Sequence, residues 1–535
     1  MTLKNYPLYD HTRLPTLKAL VDFCAHQYGS KPAFQYANRK SVVSVDYLQF
    51  KAEVEALGTA VFHRGYRNCH IAVYGENRYE WILTHFAVTC GSNVIVPIDK
   101  ELNADQIAVL LKDSECSAIV YSNTYADVAE ALQALIPEME FINMNSIPDM
   151  VTEGDALIQA GFRDYIDVEV KQEDLASIVY TSGTTGNSKG VMLTHLNFCS
   201  CAHGACCNVL NTGPVLLVLP LHHTFGLTAS IFSLMMYGNP IYINKSLKRI
   251  SDDFQRCKPQ MVFVVPLILE TLYKNIWNTA KKQRKDKALK ALIALSDALL
   301  ACRIDLRRTL FKTVLSSLGG NLDVIVCGGA PLDEKYIKGF RSLGITVLNG
   351  YGITECSPIV AVQRNKFAVP GSVGQPLCCN QVMISDEGEI LVKGDNVMVG
   401  YYHNDAENAQ VFQDGWFRTG DIGHLDRHGA LHITGRIKNL IILSNGENIA
   451  AEGIEQLVYS MPYVKEVIAY GENDVIVAEV FLDEDVSDAR TRIHEDIKAI
   501  NQYLPLVRNI GKVVIRDTEF PKTTTKKIKR NYGGK

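Results

Sequence analysis

Short apolar runs alternate with stretches of helical periodicity through the first part of the chain. Ile71–Tyr74 reads as a short buried strand, and Asn77–Cys90 shows helical spacing at Trp81, Ile82, His85 and Phe86. Asn93–Ile98 is a second strand, Ala104–Asp113 a second helix and Ala118–Tyr121 a third strand. That order predicts a parallel sheet with helices packed on it, because parallel neighbours need a crossover between them. Ala176–Tyr180 is a further strand running straight into a Ser/Thr/Gly-rich loop, with a helix expected beyond it. Leu216–Leu219, Met261–Val265 and Leu322–Val326 repeat the pattern of a short apolar strand followed by a loop.

The pattern changes from Gln381 onward. MISDEGEILVKG and GALHITGR read as antiparallel strands with glycine at the turns. Val464–Tyr470 and Val475–Phe481 predict a hairpin around Gly471–Asp474, Ile493, Ile497 and Ile500 mark one helical face, and Lys512–Arg516 is a last strand. The fold class is α/β, with a small α+β domain of about 100 residues at the end.

Composition narrows the class. The 535 residues are 47% hydrophobic and 21% charged with a net charge of −4, which excludes an electrostatic footprint for nucleic acid. The first residues show no apolar core of signal-peptide length, and the longest apolar runs, at 215–221 and 261–269, fall far short of the roughly 20 residues a spanning helix needs. A cytoplasmic protein is expected. Among 14 cysteines, Cys199, Cys201, Cys206 and Cys207 cluster and Cys378–Cys379 are adjacent. CxC followed by CC does not match the paired spacings of zinc sites, so small buried thiols on a helix are the simpler account.

The most informative stretch is Tyr180–Gly190. Gly183, Gly186 and Gly190 let backbone amides turn inward, Thr181, Ser182, Thr184 and Thr185 add hydroxyls, and Lys189 adds charge. Such a loop after a strand surrounds a polyphosphate with donors. Its GxxGxxKG spacing is not the GxxxxGK[ST] of a Walker loop.

At this loop the chain resembles the adenylate-forming superfamily of acyl-CoA synthetases, luciferases and peptide-synthetase adenylation domains, whose pattern is [ST]SG[ST]TGxPKG; Asn187-Ser188 replaces the usual x-Pro. Further matches follow in order: EN-x-x-EW at 76–81, PLHHTFG at 220–226, CGGAPL at 327–332, GYGITECSP at 350–358, SVGQPL at 372–377, GEILVKGDNVMVGYY at 388–402, GWFRTGD at 415–421, GRIKNLIILSNGENIAAEGIE at 435–455 and PKTTTKKIKR at 521–530. The resemblance implies a large N-terminal domain, 1–434, of α/β subdomains with a small β-barrel-like region. A mobile C-terminal domain, 435–535, follows.

It also implies the chemistry. A carboxylate joins the α-phosphate of ATP with loss of pyrophosphate, so the site brings two anions together and needs cations and oriented donors. Tyr351 offers an aromatic face to adenine, Thr354 a hydroxyl to the α-phosphate and Glu355 an oxygen ligand to Mg²⁺, with Thr185 as the second expected metal ligand. Gly328, Gly329 and Ala330 close against the adenine edge, and Asn349, Gly350 and Gly352 frame Tyr351. The family match assigns Asp421 to the ribose diol, although an Asp in such a turn is most often an Asx-turn residue, and Arg436 to ribose and phosphate. Lys527 is the implied catalytic lysine, with Lys526 where the family has glycine; the basic tail would otherwise read as a nuclear-import or nucleic-acid segment. Lys438 is the implied hinge and Gly446 the lining of the pantetheine path, with Asn439 replacing the commoner Asp and Ala451 the commoner Pro.

No carboxylate stands in Leu221–Thr224, which disfavours an α-amino acid as substrate, and His223 is the expected neutral histidine bordering the acyl site. Val265–Ile276 resembles the VPRxxExxYxxI stretch of long-chain fatty acyl-CoA synthetases. Residues 274–312 then carry 11 Lys/Arg against 3 Asp/Glu; a solvated helical face is the common explanation, and peripheral contact with the inner face of an anionic membrane the alternative. The expected partners are a fatty-acid-like carboxylate, ATP, Mg²⁺ and CoA, with a carrier-protein thiol as the alternative acceptor. A catalytically silent scaffold is opposed by the retained Lys189, Glu355, Asp421 and Lys527.

Overall fold

The computed structural model is described for all residues except 1–5, 39–40, 183–187, 444–447, 484, 487, 523–527, 529 and 531–535. Met1–Gln381 with Val392–Phe417 form one compact unit, and Val382–Leu391 with Arg418–Lys535 form a second.

The first unit holds two largely parallel sheets. In the seven-stranded one, His70–Tyr74 lies between Val94–Ile98 and Cys116–Tyr121, parallel to both, with helices Tyr79–Thr89 and Ala104–Asp113 on the crossovers. Val94–Ile98 is buried at every position, as a strand covered on both faces must be. The expected strand, helix, strand, helix, strand order is therefore present. The nine-stranded sheet runs parallel through Thr346–Gly352, Val324–Cys327, Met261–Val264, Val215–Leu217, Ile241–Ile243 and Pro32–Asn38. Antiparallel strands close both of its edges.

The helix expected beyond the phosphate loop is present, but a strand comes before it. Ser188–Thr194 is a strand, paired antiparallel with Leu175–Ser182 so that Thr181 stands opposite Lys189. The pairing with Leu175–Ser182 runs the whole length of the segment, and Gly190, Val191, Leu193 and Thr194 are buried from both faces of it. The helix starts at His195, where the Thr194 side chain accepts from Asn197 N and the Asn197 side chain answers at the Thr194 N–H. Helix His195–Asn208 buries Cys199, Cys201, Cys206 and Cys207, the thiols expected to be core residues.

The basic segment is helical as expected, in Pro266–Lys282, Asp286–Ala301, Arg307–Leu310 and Lys312–Ser317. Leu272, Ile276, Leu289, Phe311 and Leu315 face a core shared with Val262, Val264 and Phe340, while Lys274, Lys281, Lys282, Lys285, Lys287 and Lys290 stay exposed. Among the described residues, no helix is long and apolar enough to cross a membrane.

Strand Trp416–Leu425, which belongs to the second unit from Arg418 onward, pairs antiparallel with Leu431–Arg436. Val464–Glu472 and Val475–Leu482 form the predicted hairpin, with Asn473 and Asp474 at φ 50° and 65° as a tight two-residue turn requires. Ile510–Arg516 adds a parallel third strand, and helices Ala451–Tyr459 and Ala489–Asn501 bury Ile454, Val458, Ile493 and Ile497 against this sheet.

Candidate active site

The parallel strands of the first unit end in the residues the sequence singled out, where α/β sheets hold ligands. Asn77 follows His70–Tyr74 and ties down the connection after Val215–Leu217. Its Nδ2 donates to Leu219 O at 2.8 Å and its Oδ1 accepts from Leu221 N at 3.1 Å. That connection carries His222 and His223, whose rings lie 4.2 Å apart. His222 is buried, with Nε2 3.2 Å from Asp99 Oδ1, and burial first, then His223 and Lys100, hold its pKa well below the ordinary imidazole value. Asn77 sits inside the quoted EN motif, but nothing in sequence placed Asp99 beside His222.

Beyond His223 the chain enters a π-helix, Phe225–Phe232, buried from Gly226 onward. Wide helical turns of this kind are frequent at functional sites. The π-helix helps wall a pocket of about 680 Å³ of empty space, its solvent-open part included. Phe225, Ala229, Met261, Phe263 and Ile359 give it apolar walls, and Gly328, Gly329, Gly350, Tyr351 and Gly352 contribute strand ends. Phe225 rather than His223 is a lining residue. Gly352 must be glycine, since a Cβ there would stand 2.1 Å from Pro358 O. Ala330 is exposed, and Asn349 is fixed through its N–H to Gln363 Oε1 at 3.0 Å.

Lys189 and Glu355 are brought to one aromatic ring. Short strand Gly400–Tyr401 pairs with Ser188–Thr194, setting Tyr401 opposite Val191. Tyr401 donates its hydroxyl to Glu355 Oε1 at 2.8 Å, and Lys189 Nζ lies 5.1 Å from the ring centroid while pairing with Glu407. Burial and the Glu355 charge push the Tyr401 phenol upward, so it remains a donor. Glu355 lies in the single turn Thr354–Cys356, held also by Met398 N donating to Glu355 O at 2.8 Å. Tyr401 belongs to the quoted VMVGYY stretch, yet only pairing in three dimensions reveals its role.

In the second unit, Asp421 and Arg436 face each other across paired strands, with Arg436 Nε 2.7 Å from Asp421 Oδ1 and Asp421 2% exposed. Glu389 fixes the stretch of strand before Asp421. It accepts from Arg418 at 2.7 and 2.9 Å through Oε2 and from Gly420 N at 2.9 Å through Oε1. Lys438 is exposed in the single turn Ile437–Asn439, and Asn439 donates to Glu452 Oε1 at 2.5 Å. Near the C-terminus Lys522 bridges to Ile528, Phe520 packs with Ile468 and Phe481, and Arg530 pairs with Glu455 at 2.5 Å. Gly183, Thr184, Thr185, Gly186, Gly446 and Lys527 lie outside the described residues, as does the Ser182 side chain.

The donor set fits a magnesium nucleotide. A hydrogen-bonded carboxylate at Glu355 and an ammonium at Lys189 on one ring suit a hard cation and a polyphosphate.

Fold and site together suit an enzyme that takes a phosphate-bearing ligand and an apolar one. The pattern of the AMP-binding enzyme family matches residues 21–402, and the chain belongs to that family. The long-chain-fatty-acid–CoA ligase FadD15 of Mycobacterium bovis is 30% identical over 429 residues, covering 75% of this chain and 71% of that protein. Human long-chain-fatty-acid–CoA ligase 1 is 30% identical over 493 residues, covering 82% and 69%. Among solved structures, the Bacillus subtilis O-succinylbenzoate coenzyme A synthetase bound to AMP superposes with a TM-score of 0.75 at 22% identity, covering 95% of this chain and 96% of that one. A Mycobacterium tuberculosis fatty acyl CoA synthetase gives 0.69 at 22%, covering 96% and 97%. These two structures establish the fold.

Proposed function

We propose that this chain activates a long-chain fatty acid with ATP as acyl-AMP and passes the acyl group to CoA. The observation that carries this reading is the apolar pocket bordered by Gly328–Gly329 and Gly350–Gly352. An aliphatic chain between Phe225, Ala229 and Phe263 leaves its carboxylate at the strand ends where the nucleotide is expected. The names of the relatives point to the same acid and acceptor.

In the first half-reaction a carboxylate oxygen attacks the α-phosphorus and the bond to pyrophosphate breaks. Tyr351 stacks on adenine, Asp421 and Arg436 hold the ribose, and Lys189 with the loop after Thr181 neutralises the phosphates. Magnesium, bound at Glu355 and Thr185 when present, supplies further charge neutralisation. Lys527 stabilises charge on the carboxylate and α-phosphate oxygens. In the second, the CoA thiol attacks the acyl carbon and AMP leaves. Residues 435–535 turn about Lys438 between the two, which withdraws Lys527 and brings Gly446 to the pantetheine path.

Pyrophosphate release across acids from acetate to oleate, with aryl acids included, tests the reading when followed by CoA as acceptor. Oleate-like acids should give the highest kcat/KM and yield acyl-CoA. Release confined to aryl or short acids would overturn the fatty-acid assignment, and transfer to a carrier protein but not CoA would overturn the acceptor.

A further inference from the structure

A second constellation of reactive side chains lies away from the nucleotide residues. His203 and Cys207 are one turn apart on helix His195–Asn208 and leave the same face of it. Cys378 reaches them from the connection between Gln375–Pro376 and Asn380–Ile384. One ligand atom from each of the three lies within 4.8 Å of the others. Cys207 Sγ is 3.6 Å from His203 Nε2, and Cys378 Sγ is 3.9 Å from His203 Nδ1. His203 Nε2 also lies 3.0 Å from the carbonyl oxygen of His11.

We propose that His203, Cys207 and Cys378 form a binding site for a borderline-soft divalent cation, with zinc as the best match. Two thiolates and an imidazole are zinc ligands, and a tetrahedral ion with bonds of about 2.3 Å to sulfur and about 2.0 Å to nitrogen separates those donors by roughly 3.6 Å. Cys378 Sγ stands 3.9 Å from His203 Nδ1, close to that value, and ligand atoms of all three residues lie within 4.8 Å, so a small rotation of the Cys207 side chain toward Nδ1 completes the set. Ligation through Nδ1 leaves the Nε2 proton for the His11 carbonyl, the backbone anchor that commonly orients a ligating histidine. Cys207 is buried and Cys378 exposed, so an ion would have an inner ligand and an entry path from the surface. The three ligands include no carboxylate, which disfavours magnesium and calcium and separates this site from the one at Glu355. Ala205 and Cys206, on the same helix, line the apolar pocket, so a bound ion would stiffen a helix that walls it.

The test uses the full-length protein kept reduced with a phosphine and dialysed against Zn²⁺ or Cd²⁺. One equivalent of Zn²⁺ should remain after gel filtration, and Cd²⁺ should produce a sulfur-to-metal charge-transfer band in the ultraviolet. Cys378→Ser and Cys378→Ala, both at an exposed position, should weaken binding at least ~10-fold and reduce the band while leaving the melting temperature of the ion-free protein unchanged. His203→Gln should weaken binding in the same way. Substoichiometric zinc in the wild type, or unchanged affinity and cadmium spectrum in both Cys378 variants, would overturn the site.

Discussion

Tyr401 joins the expected metal ligand to the expected phosphate-binding lysine: its hydroxyl donates to Glu355 Oε1 at 2.8 Å, and Lys189 Nζ lies 5.1 Å from the centre of its ring. Tyr401→Phe removes one hydrogen bond worth ~1 kcal/mol and leaves the ring in place. The magnesium concentration for half-maximal pyrophosphate release should rise severalfold with the fold intact. Glu355→Gln should raise it far more, and a magnesium titration unchanged in both variants would remove Glu355 as a metal ligand.

The proposed function gives Lys527 a role in the adenylation step alone. Lys527→Ala should reduce pyrophosphate release ~10²- to 10³-fold, the scale of removing a principal oxyanion donor. Acyl-CoA formation from supplied acyl-AMP should fall less than ~10-fold. Equal losses in the two assays would refute the division of labour.

Lys438 sits in a single turn, Ile437–Asn439, beyond the strand carrying Arg436. Proline fixes φ near −65° and removes an N–H, so Lys438→Pro should restrict rotation there. Single-turnover pyrophosphate release should survive while thioester formation collapses, and normal steady-state turnover would eliminate the hinge.

Ala229 is buried in the wall of the apolar pocket. Ala229→Trp fills part of it, and overpacking costs ~1–3 kcal/mol of stability. The ratio of kcat/KM for oleate over octanoate should fall at least ~10-fold, with the melting temperature separating any general damage. A preserved ratio in a well-folded variant would place the acyl chain elsewhere.

Burial lowers three imidazoles: His85 to about 3, His195 to about 4 and His222 well below the ordinary value. The unfolded chain protonates these groups near pH ~6.5 while the folded chain does not, so the unfolded state binds more protons below that pH. Their stability contribution is complete above pH ~6.5 and falls as the pH drops toward 4, by up to ~1.4 kcal/mol per unit for each group. Thermal unfolding should show a falling melting temperature between pH 7 and 5. A flat profile there would contradict neutral burial.

The parallel layers were legible because strands covered on both faces must be apolar throughout, and Val94–Ile98 and Met261–Val264 meet that condition. The hairpin turn at Asn473-Asp474 was legible because few residues accept its positive φ values. The helix beyond the phosphate loop was legible, but the strand Ser188–Thr194 between them was not, since its burial shows no simple alternation. Asp99 beside His222 and Glu407 beside Lys189 left no mark in sequence, being contacts between residues 123 and 218 positions apart.

The sequence by itself determined which chemical groups are present and in what order, because the roles proposed for the loop at 180–190, for Glu355 and for Asp421 each demand particular residue types. Tertiary structure alone decided how those groups are held. Strand pairing set Tyr401 beside Lys189 and Glu355, and packing of a π-helix against strand ends opened the apolar pocket. Helical phase with one distant connection gathered His203, Cys207 and Cys378. Each depends on chain segments meeting in space, and one-dimensional spacing does not record where separate strands and helices come together.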